Sequence, residues 1–214
     1  MSWLRQDIDR VVELTLVHLR LSVLPVLLSL VIAVAIGYLA HRSRVARGPL
    51  LVSTGLLYAV PSLPLFIIIP VVFGTPLRSD ATMVIALTIY GVALLARAAT
   101  DAFGSVDRSV HETAGALGFS AWARFWRVEL PLAGPVLLAG TRVVAVSTVS
   151  LVTVGAVIGI QSLGTLFTDG FQRGITEEIV TGIVLTVAVA FVLDVACVLV
   201  GRLAMPWTRR RAAA

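Results

Sequence analysis

The chain contains the segment Asp107-Arg-Ser-Val-His-Glu-Thr-Ala-Gly-Ala-Leu-Gly118, which continues as Phe119-Ser-Ala-Trp-Ala-Arg-Phe-Trp-Arg-Val-Glu-Leu-Pro131. This segment is the one sizeable polar stretch between long apolar runs. Asp107 or Ser109 can cap a helix there, because a side-chain oxygen at that position accepts a hydrogen bond from a free backbone N–H. Gly118 suits the end of that helix, since glycine adopts the left-handed conformation at little cost. The stretch therefore begins with a short capped helix and a turn.

A second short helix is predicted after the turn. Ser120 can cap it, it runs to Arg127, and Pro131 then suits the first turn of the next long helix. Its aromatic side chains have two interpretations: they rest among lipid headgroups, or they anchor a protruding knob in a groove on a soluble partner. These aromatic residues are Trp122, Phe125 and Trp126.

The composition identifies an integral membrane protein. Of 214 residues, 58% are hydrophobic and 14% are charged, and the mean hydropathy is +0.98; soluble domains carry about 25% charged residues. All 17 basic residues are Arg, which excludes a P-loop with its lysine. The lone Cys197 excludes a disulfide framework or a cysteine-based zinc site, and the three scattered histidines predict no metal site.

Five apolar stretches approach the roughly 20 residues that cross a bilayer as a helix. They are Leu21–Ala40, Leu50–Phe73, Thr82–Ala96, which must borrow flanking residues, Leu130–Gly159 and Ile179–Val200. With the loop after the first stretch in the cytoplasm, twelve Arg lie inside and five outside. The excess of Arg on one side predicts an extracytoplasmic N-terminus and a cytoplasmic C-terminus.

The resulting organisation has three parts. Residues 1–20 form an amphipathic lead-in on the outer surface, with the apolar residues Leu4, Ile8, Val11 and Val12 on one helical face. Residues 21–202 form the transmembrane domain, with the polar segment 107–131 on its cytoplasmic side. Residues 203–214 form a basic cytoplasmic tail.

The spacing of the polar segment resembles the EAA loop of ABC-importer permeases. That pattern is E-A-A-x3-G-x9-I-x-L-P, and this chain has Glu112-Thr113-Ala114, then Gly118, then Val128-Glu129-Leu130-Pro131. Thr113 and Val128 are mild departures from it. The resemblance implies that Ser120–Arg127 is a coupling helix that docks into an ATP-binding subunit. The implied coupling residues are Glu112, Thr113, Ala114, Gly118, Ser120, Ala121, Trp122, Arg124 and Phe125.

The wider chain resembles the osmoprotectant (quaternary-amine) branch of these permeases, in Ala59-Val-Pro-Ser-Leu-Pro-Leu65, Leu130–Arg142 and Val154–Gly164. The resemblance implies an all-α polytopic protein with the MetI-like fold of type I importers, in a bacterial cytoplasmic membrane. It implies uptake of glycine betaine, choline, carnitine or proline betaine, with methionine or another amino acid as the alternative.

The same resemblance implies the partners. They are two ATP-binding subunits, which bind the ATP and magnesium, a second permease (the same chain or a paralogue), an extracytoplasmic substrate-binding protein and membrane lipid, with no nucleic acid. The outer loop Gly159–Glu178 is the expected surface for the binding protein. The chain itself is expected to hold no cofactor and to catalyse no bond chemistry.

Two groups of residues inside the spans are candidates for a role in transport. Pro61 and Pro64 free backbone carbonyls and predict a kink along the translocation path, with Tyr58 and Phe66 as candidate walls for a cation. Simple packing inside the bundle is the alternative for all four residues.

Asp194 and Arg142 are candidate buried charges. Asp194 is expected to pair with a cytoplasmic-side Arg, with a gating role as the alternative. Arg142 is expected to be neutralised by Asp101, Glu112 or Glu129. A secondary transporter needs ion sites or inverted repeats, and a membrane-embedded enzyme needs a polar cluster; neither feature is found in the sequence.

Overall fold

The computed structural model describes residues 7–207, and within that range the regular elements are helices. The helices are α1 (Ile8–Arg42), α2 (Arg44–Ala59), α3 (Ser62–Phe73), α4 (Asp80–Gly104), α5 (Arg108–Ala116), α6 (Ala121–Arg124), α7 (Leu130–Val154), α8 (Leu163–Arg173) and α9 (Thr176–Ala204). A π-helical turn, Phe125–Glu129, precedes α7, and a 3-10 turn, Gly155–Ile158, follows it.

The long helices account for the predicted spans. Among residues 7–207, four helical segments are long and apolar enough to cross a membrane: α1, α4, the continuous segment Ala121–Ile158, and α9. They contain four of the five predicted apolar stretches, and α4 includes the flanking residues that the short third stretch needed. The predicted second span is different, because α2 and α3 meet at an angle of 111°.

The break between α2 and α3 follows from its two prolines. Pro61 is the N-cap of α3, and Pro64 has no N–H to donate to the carbonyl of Val60 four residues earlier. The hydroxyl of Tyr90, in α4, donates to that carbonyl instead. The predicted kink is therefore a full break that a neighbouring helix supports.

Small side chains bring α1 and α4 into close contact. Ser29, Ala33, Gly37 and Ala40 recur along one face of α1 and are buried. At Gly37 a Cβ atom would lie 2.5 Å from the Cβ of Ala99 and 2.7 Å from its backbone carbonyl carbon. Helices in membranes approach closely through such stripes of small residues, since lipid gives no hydrophobic drive for their association.

Gly37→Ala is expected to destabilise this contact. The added methyl group meets backbone atoms that cannot turn aside, and overpacking of this kind costs about 1–3 kcal/mol. Gly55→Ala in α2 is the matched control, because open space surrounds Gly55 and alanine favours a helix by about 0.5–1 kcal/mol over glycine. Gly37→Ala should lower the midpoint temperature of thermal unfolding of the purified protein, whereas Gly55→Ala should not. Equal midpoints for the two variants would contradict the close packing.

The predicted amphipathic lead-in is not a separate helix. Its described part continues without interruption into the first span as α1, whose 35 residues extend about 52 Å at 1.5 Å per residue. Val11 is buried against α8 and α9, whereas Ile8 and Val12 are exposed, so the predicted single apolar face is divided. Leu4 and the basic residues Arg209, Arg210 and Arg211 lie outside the described residues.

Ion pairs join the starts of α1 and α9 to each other and to α8 at one end of the bundle. Arg10 in α1 pairs with Asp169 in α8 and with the fully buried Glu178 in α9, which also accepts from Arg173. The predicted outer loop is thus more than an exposed segment, because it contains α8 packed against α7. This end of the molecule is called the α8 end below, and the opposite end, which carries residues 105–129, is called the loop end.

Candidate functional site

The first helix at the loop end begins as predicted. The side chain of Asp107 accepts a hydrogen bond of 2.8 Å from the backbone N–H of Ser109, so Asp107 is the N-cap of α5. That bond stabilises the charged carboxylate and lowers the pKa of Asp107 below its ordinary value.

A left-handed glycine ends α5. Gly118 has a φ of +77°, the N–H of Phe119 donates to the carbonyl of Ala114, and the N–H of Gly118 donates to that of Gly115. Ser120 then caps the next helix, because its Oγ accepts from the N–H of Ala123 at 3.2 Å. The predicted turn and both caps are confirmed.

The predicted short helix and the long helix that follows it are continuous. Helix α6 passes directly into the π-helical turn and then into α7, with the N–H of Leu130 donating to the carbonyl of Phe125 five residues earlier. Pro131 explains the wider turn, since its ring clashes with the carbonyl four residues before it and offers no N–H. The short helix is therefore the first part of one continuous helical segment.

Large apolar side chains are exposed along the loop end. Leu117 and Trp122 are each 72% exposed and Trp126 is 50% exposed, and the two indole rings are 5.5 Å apart. Beside them lies a shallow cavity of about 300 Å³, whose lining includes Thr113 and Ala114. This combination forms a protruding apolar surface, called the tryptophan knob below (Leu117, Trp122 and Trp126).

Two side chains that were predicted to contact a partner contact other parts of this chain. Phe125 packs against Tyr38 of α1 and Phe103 of α4, with ring centroids 4.6 and 6.0 Å away. Arg124 donates from Nε to Oε1 of Glu129 at 2.8 Å. Both side chains join α6 to the helix bundle, and their role in docking a partner stays a prediction.

The remaining predicted coupling residues are distributed around this turn. Glu112 pairs with Arg108 one helical turn earlier, and both side chains are exposed. Ala121 is exposed at the start of α6, while Ala114 is buried. Glu129 is a residue that the sequence presented only as a partner for Arg142, and the structure places it instead at the centre of the loop end.

Arg142 and Asp194 bind each other. The guanidinium Nε and Nη2 donate to the two carboxylate oxygens at 2.7 Å each, a bidentate geometry that fixes both side chains. Asp194 therefore pairs with an Arg as predicted. The expected partners of Arg142, namely Asp101, Glu112 and Glu129, are wrong, because no sequence spacing links α7 to α9.

Asp194→Ala is expected to reduce the amount of folded protein in the membrane severalfold, because it leaves the Arg142 charge unpaired within a span. Replacing both residues, with Arg142→Met and Asp194→Leu, should restore much of the yield. Asp101→Ala is the control, since Asp101 was the predicted partner. Quantitative immunoblotting of membranes measures all three, and an equal loss with Asp101→Ala would contradict the assigned pair.

The candidate wall residues around the α2–α3 break separate into two groups. Phe66 is fully buried in a core with Leu21, Met83 and Tyr90, so it cannot offer its ring to a path and that prediction is wrong. Tyr58 is 53% exposed, and Pro61 and Pro64 are exposed at the break. These three residues remain accessible.

The described residues contain no cluster of histidine, cysteine or carboxylate side chains that could hold a metal. An apolar groove of about 950 Å³ lies between α1, α7 and α9, and its lining includes Leu30, Leu137, Leu193 and Trp207. Side chains of this kind suit hydrocarbon and supply no group for acid–base chemistry.

Comparisons with known proteins agree with this architecture. A family model described as "Binding-protein-dependent transport system inner membrane component" matches residues 19–211. An osmoprotectant import permease of Salmonella typhimurium is 29% identical over 184 residues, which cover 85% of this chain and 86% of that protein. A glycine betaine/carnitine/choline transport system permease of Bacillus subtilis is 25% identical, with 83% and 80% covered. Among solved structures, a chain of a methionine ABC transporter in an inward-facing conformation has a TM-score of 0.83 at 18% identity, with 93% and 98% covered.

Proposed function

We propose that this chain couples ATP hydrolysis by separate subunits to the uptake of a quaternary-amine osmoprotectant. The chain belongs to the family of binding-protein-dependent transport system inner membrane components. The chain is the permease subunit of an ABC importer. The observation that supports coupling is the tryptophan knob, which the rigid turn at Gly118 presents outside the bundle.

The proposed orientation places the loop end in the cytoplasm and the α8 end outside. Each tryptophan knob then docks on one ATP-binding subunit, which binds the ATP and magnesium. A second permease, identical or paralogous, completes the translocation path. The substrate-binding protein docks at the α8 end, whose pairs among Arg10, Asp169 and Glu178 hold α8 in place.

The orientation has a direct test in a Cys197→Ser background. Single cysteines are placed at Phe171, which is 82% exposed at the α8 end, and at Trp122. A membrane-impermeant maleimide applied to intact cells should label Phe171→Cys and spare Trp122→Cys until the cells are opened. Labelling of Trp122→Cys but not Phe171→Cys in intact cells would show that the chain has the opposite orientation.

The substrate class rests on the relatives. The Salmonella typhimurium relative is named an osmoprotectant import permease, and the Bacillus subtilis relative a glycine betaine/carnitine/choline transport system permease. The methionine transporter shares the fold alone, at 18% identity. Loss of the chain should abolish uptake of radiolabelled glycine betaine, carnitine or choline and leave methionine uptake unchanged. Loss of methionine uptake alone would favour the alternative, an amino-acid importer.

A further inference from the structure

The carboxylate of Glu129 is the point where the elements of the loop end meet. Glu129 is 3% exposed. Its Oε1 accepts from Nε of Arg124 in α6 at 2.8 Å and lies 3.0 Å from Nδ1 of His111 in α5. The ring of His111 stacks on that of His41, in the last turn of α1, with centroids 6.2 Å apart. The Glu129 side chain thus joins α5 and α6 to the start of α7, and the stacking of His41 on His111 extends the connection to α1.

The π-helical turn makes the pair between Arg124 and Glu129 possible. In an α-helix with 3.6 residues per turn, side chains five residues apart point about 140° away from each other. A π turn, with hydrogen bonds five residues apart, returns position 129 to the face of position 124. The turn between α6 and α7 and the ion pair are therefore two parts of one arrangement.

The burial of Glu129 makes this pair consequential. A buried carboxylate must be paired, because removing one partner leaves an uncompensated charge. Arg124 and His111 are about three-quarters buried, so solvent screens these contacts little. The pair consequently holds α6 at a fixed angle to α7.

We propose that Glu129 is a positioning residue that locks the π-helical joint at the base of α7, so that displacement of the tryptophan knob tilts α7 as a rigid rod. This inference rests on the proposed coupling function. A π turn departs from regular α-helical geometry and is the natural point of bending in the segment Ala121–Val154. Without the ion pair, movement of α6 bends the joint and α7 stays in place.

The experiment compares uptake and ATP hydrolysis in the full importer reconstituted in liposomes. Glu129→Gln and Arg124→Gln should each lower the substrate transported per ATP hydrolysed at least tenfold, with ATP hydrolysis within about twofold of wild type. The double variant should be no worse than either single variant, since both remove the same contact. Glu13→Gln, which removes an exposed carboxylate near the α8 end, is the control and should leave the ratio unchanged.

The outcomes separate this inference from the proposed function. A wild-type complex that shows no ATP-dependent uptake would overturn the function itself. If the wild type transports substrate and both variants keep its amount of substrate transported per ATP hydrolysed within twofold, Glu129 has no positioning role. The same conclusion follows if uptake and ATP hydrolysis fall in proportion. Should Glu129→Gln fail to accumulate, Arg124→Gln decides the matter, because that side chain lies at the edge of the cluster and leaves the contact between Glu129 and His111 in place.

Discussion

Gly118→Ala is expected to lower substrate uptake roughly tenfold, whereas Gly115→Ala leaves it within about twofold. Gly115 lies in the last turn of α5 and Gly118 just after that helix, and both face open space, so neither substitution causes a clash. Only Gly118 has a positive φ, of +77°, and an L-residue in that conformation costs about 1–2 kcal/mol. Since each 1.4 kcal/mol is about a factor of ten in an equilibrium constant, the strained turn should present the tryptophan knob correctly in a small fraction of molecules.

Radiolabelled uptake in cells with matched permease levels measures this difference. The thermal midpoint of each purified variant serves as the control for folding, because the strain is confined to an exposed loop. Gly115→Ala should raise the midpoint slightly, as alanine favours α5. Equal uptake by the two variants would show that the turn at Gly118 does not matter for transport.

Trp122→Ala is expected to weaken binding of the ATP-binding subunits at least tenfold. Trp122 is 72% exposed in the isolated chain, and a central aromatic anchor of an interface contributes about 2 kcal/mol or more, equivalent to roughly a 30-fold change in Kd. The helix itself should persist, because Phe125 and Arg124 hold it to the bundle. Retention of the ATP-binding subunit through size-exclusion chromatography, with titration of the purified subunit, measures the loss.

Phe171→Ala is the matched control for this substitution. Phe171 is also a highly exposed aromatic residue, 82% exposed, but it lies at the α8 end. It should leave binding of the ATP-binding subunit unchanged. A similar loss with both variants, or with neither, would contradict the assignment of the tryptophan knob to that interface.

Local chemistry explains what the sequence could predict. The apolar stretches locate the spans because a bilayer requires about 20 such residues in a helix. Asp107, Gly118 and Ser120 identify the ends of the loop helices because caps and left-handed glycines depend on neighbouring backbone atoms alone. These features need no knowledge of tertiary contacts. The structure reproduces the caps, the left-handed glycine and four of the five spans, whereas the second span is broken between α2 and α3.

Contacts between distant residues explain what the sequence could not predict. Arg142 meets Asp194 across 52 positions, and Tyr90 completes the hydrogen bonding of Val60 across 30. The inward direction of Arg124 depends on the π-helical turn, which shifts the helical face by more than a third of a turn. The resemblance to the EAA loop places Arg124 in the coupling helix but carries no information about this turn.

Photo-crosslinking from position 122 shows what the tryptophan knob contacts in the cell. Benzoylphenylalanine replaces Trp122 in one strain and Phe171 in another, and both are irradiated in intact cells. Position 122 should crosslink to a subunit whose sequence carries a P-loop if the tryptophan knob docks the ATP-binding subunit. Position 171 should crosslink to an extracytoplasmic binding protein. Crosslinks from position 122 to lipid alone, in a strain that produces the ATP-binding subunit, would contradict this docking.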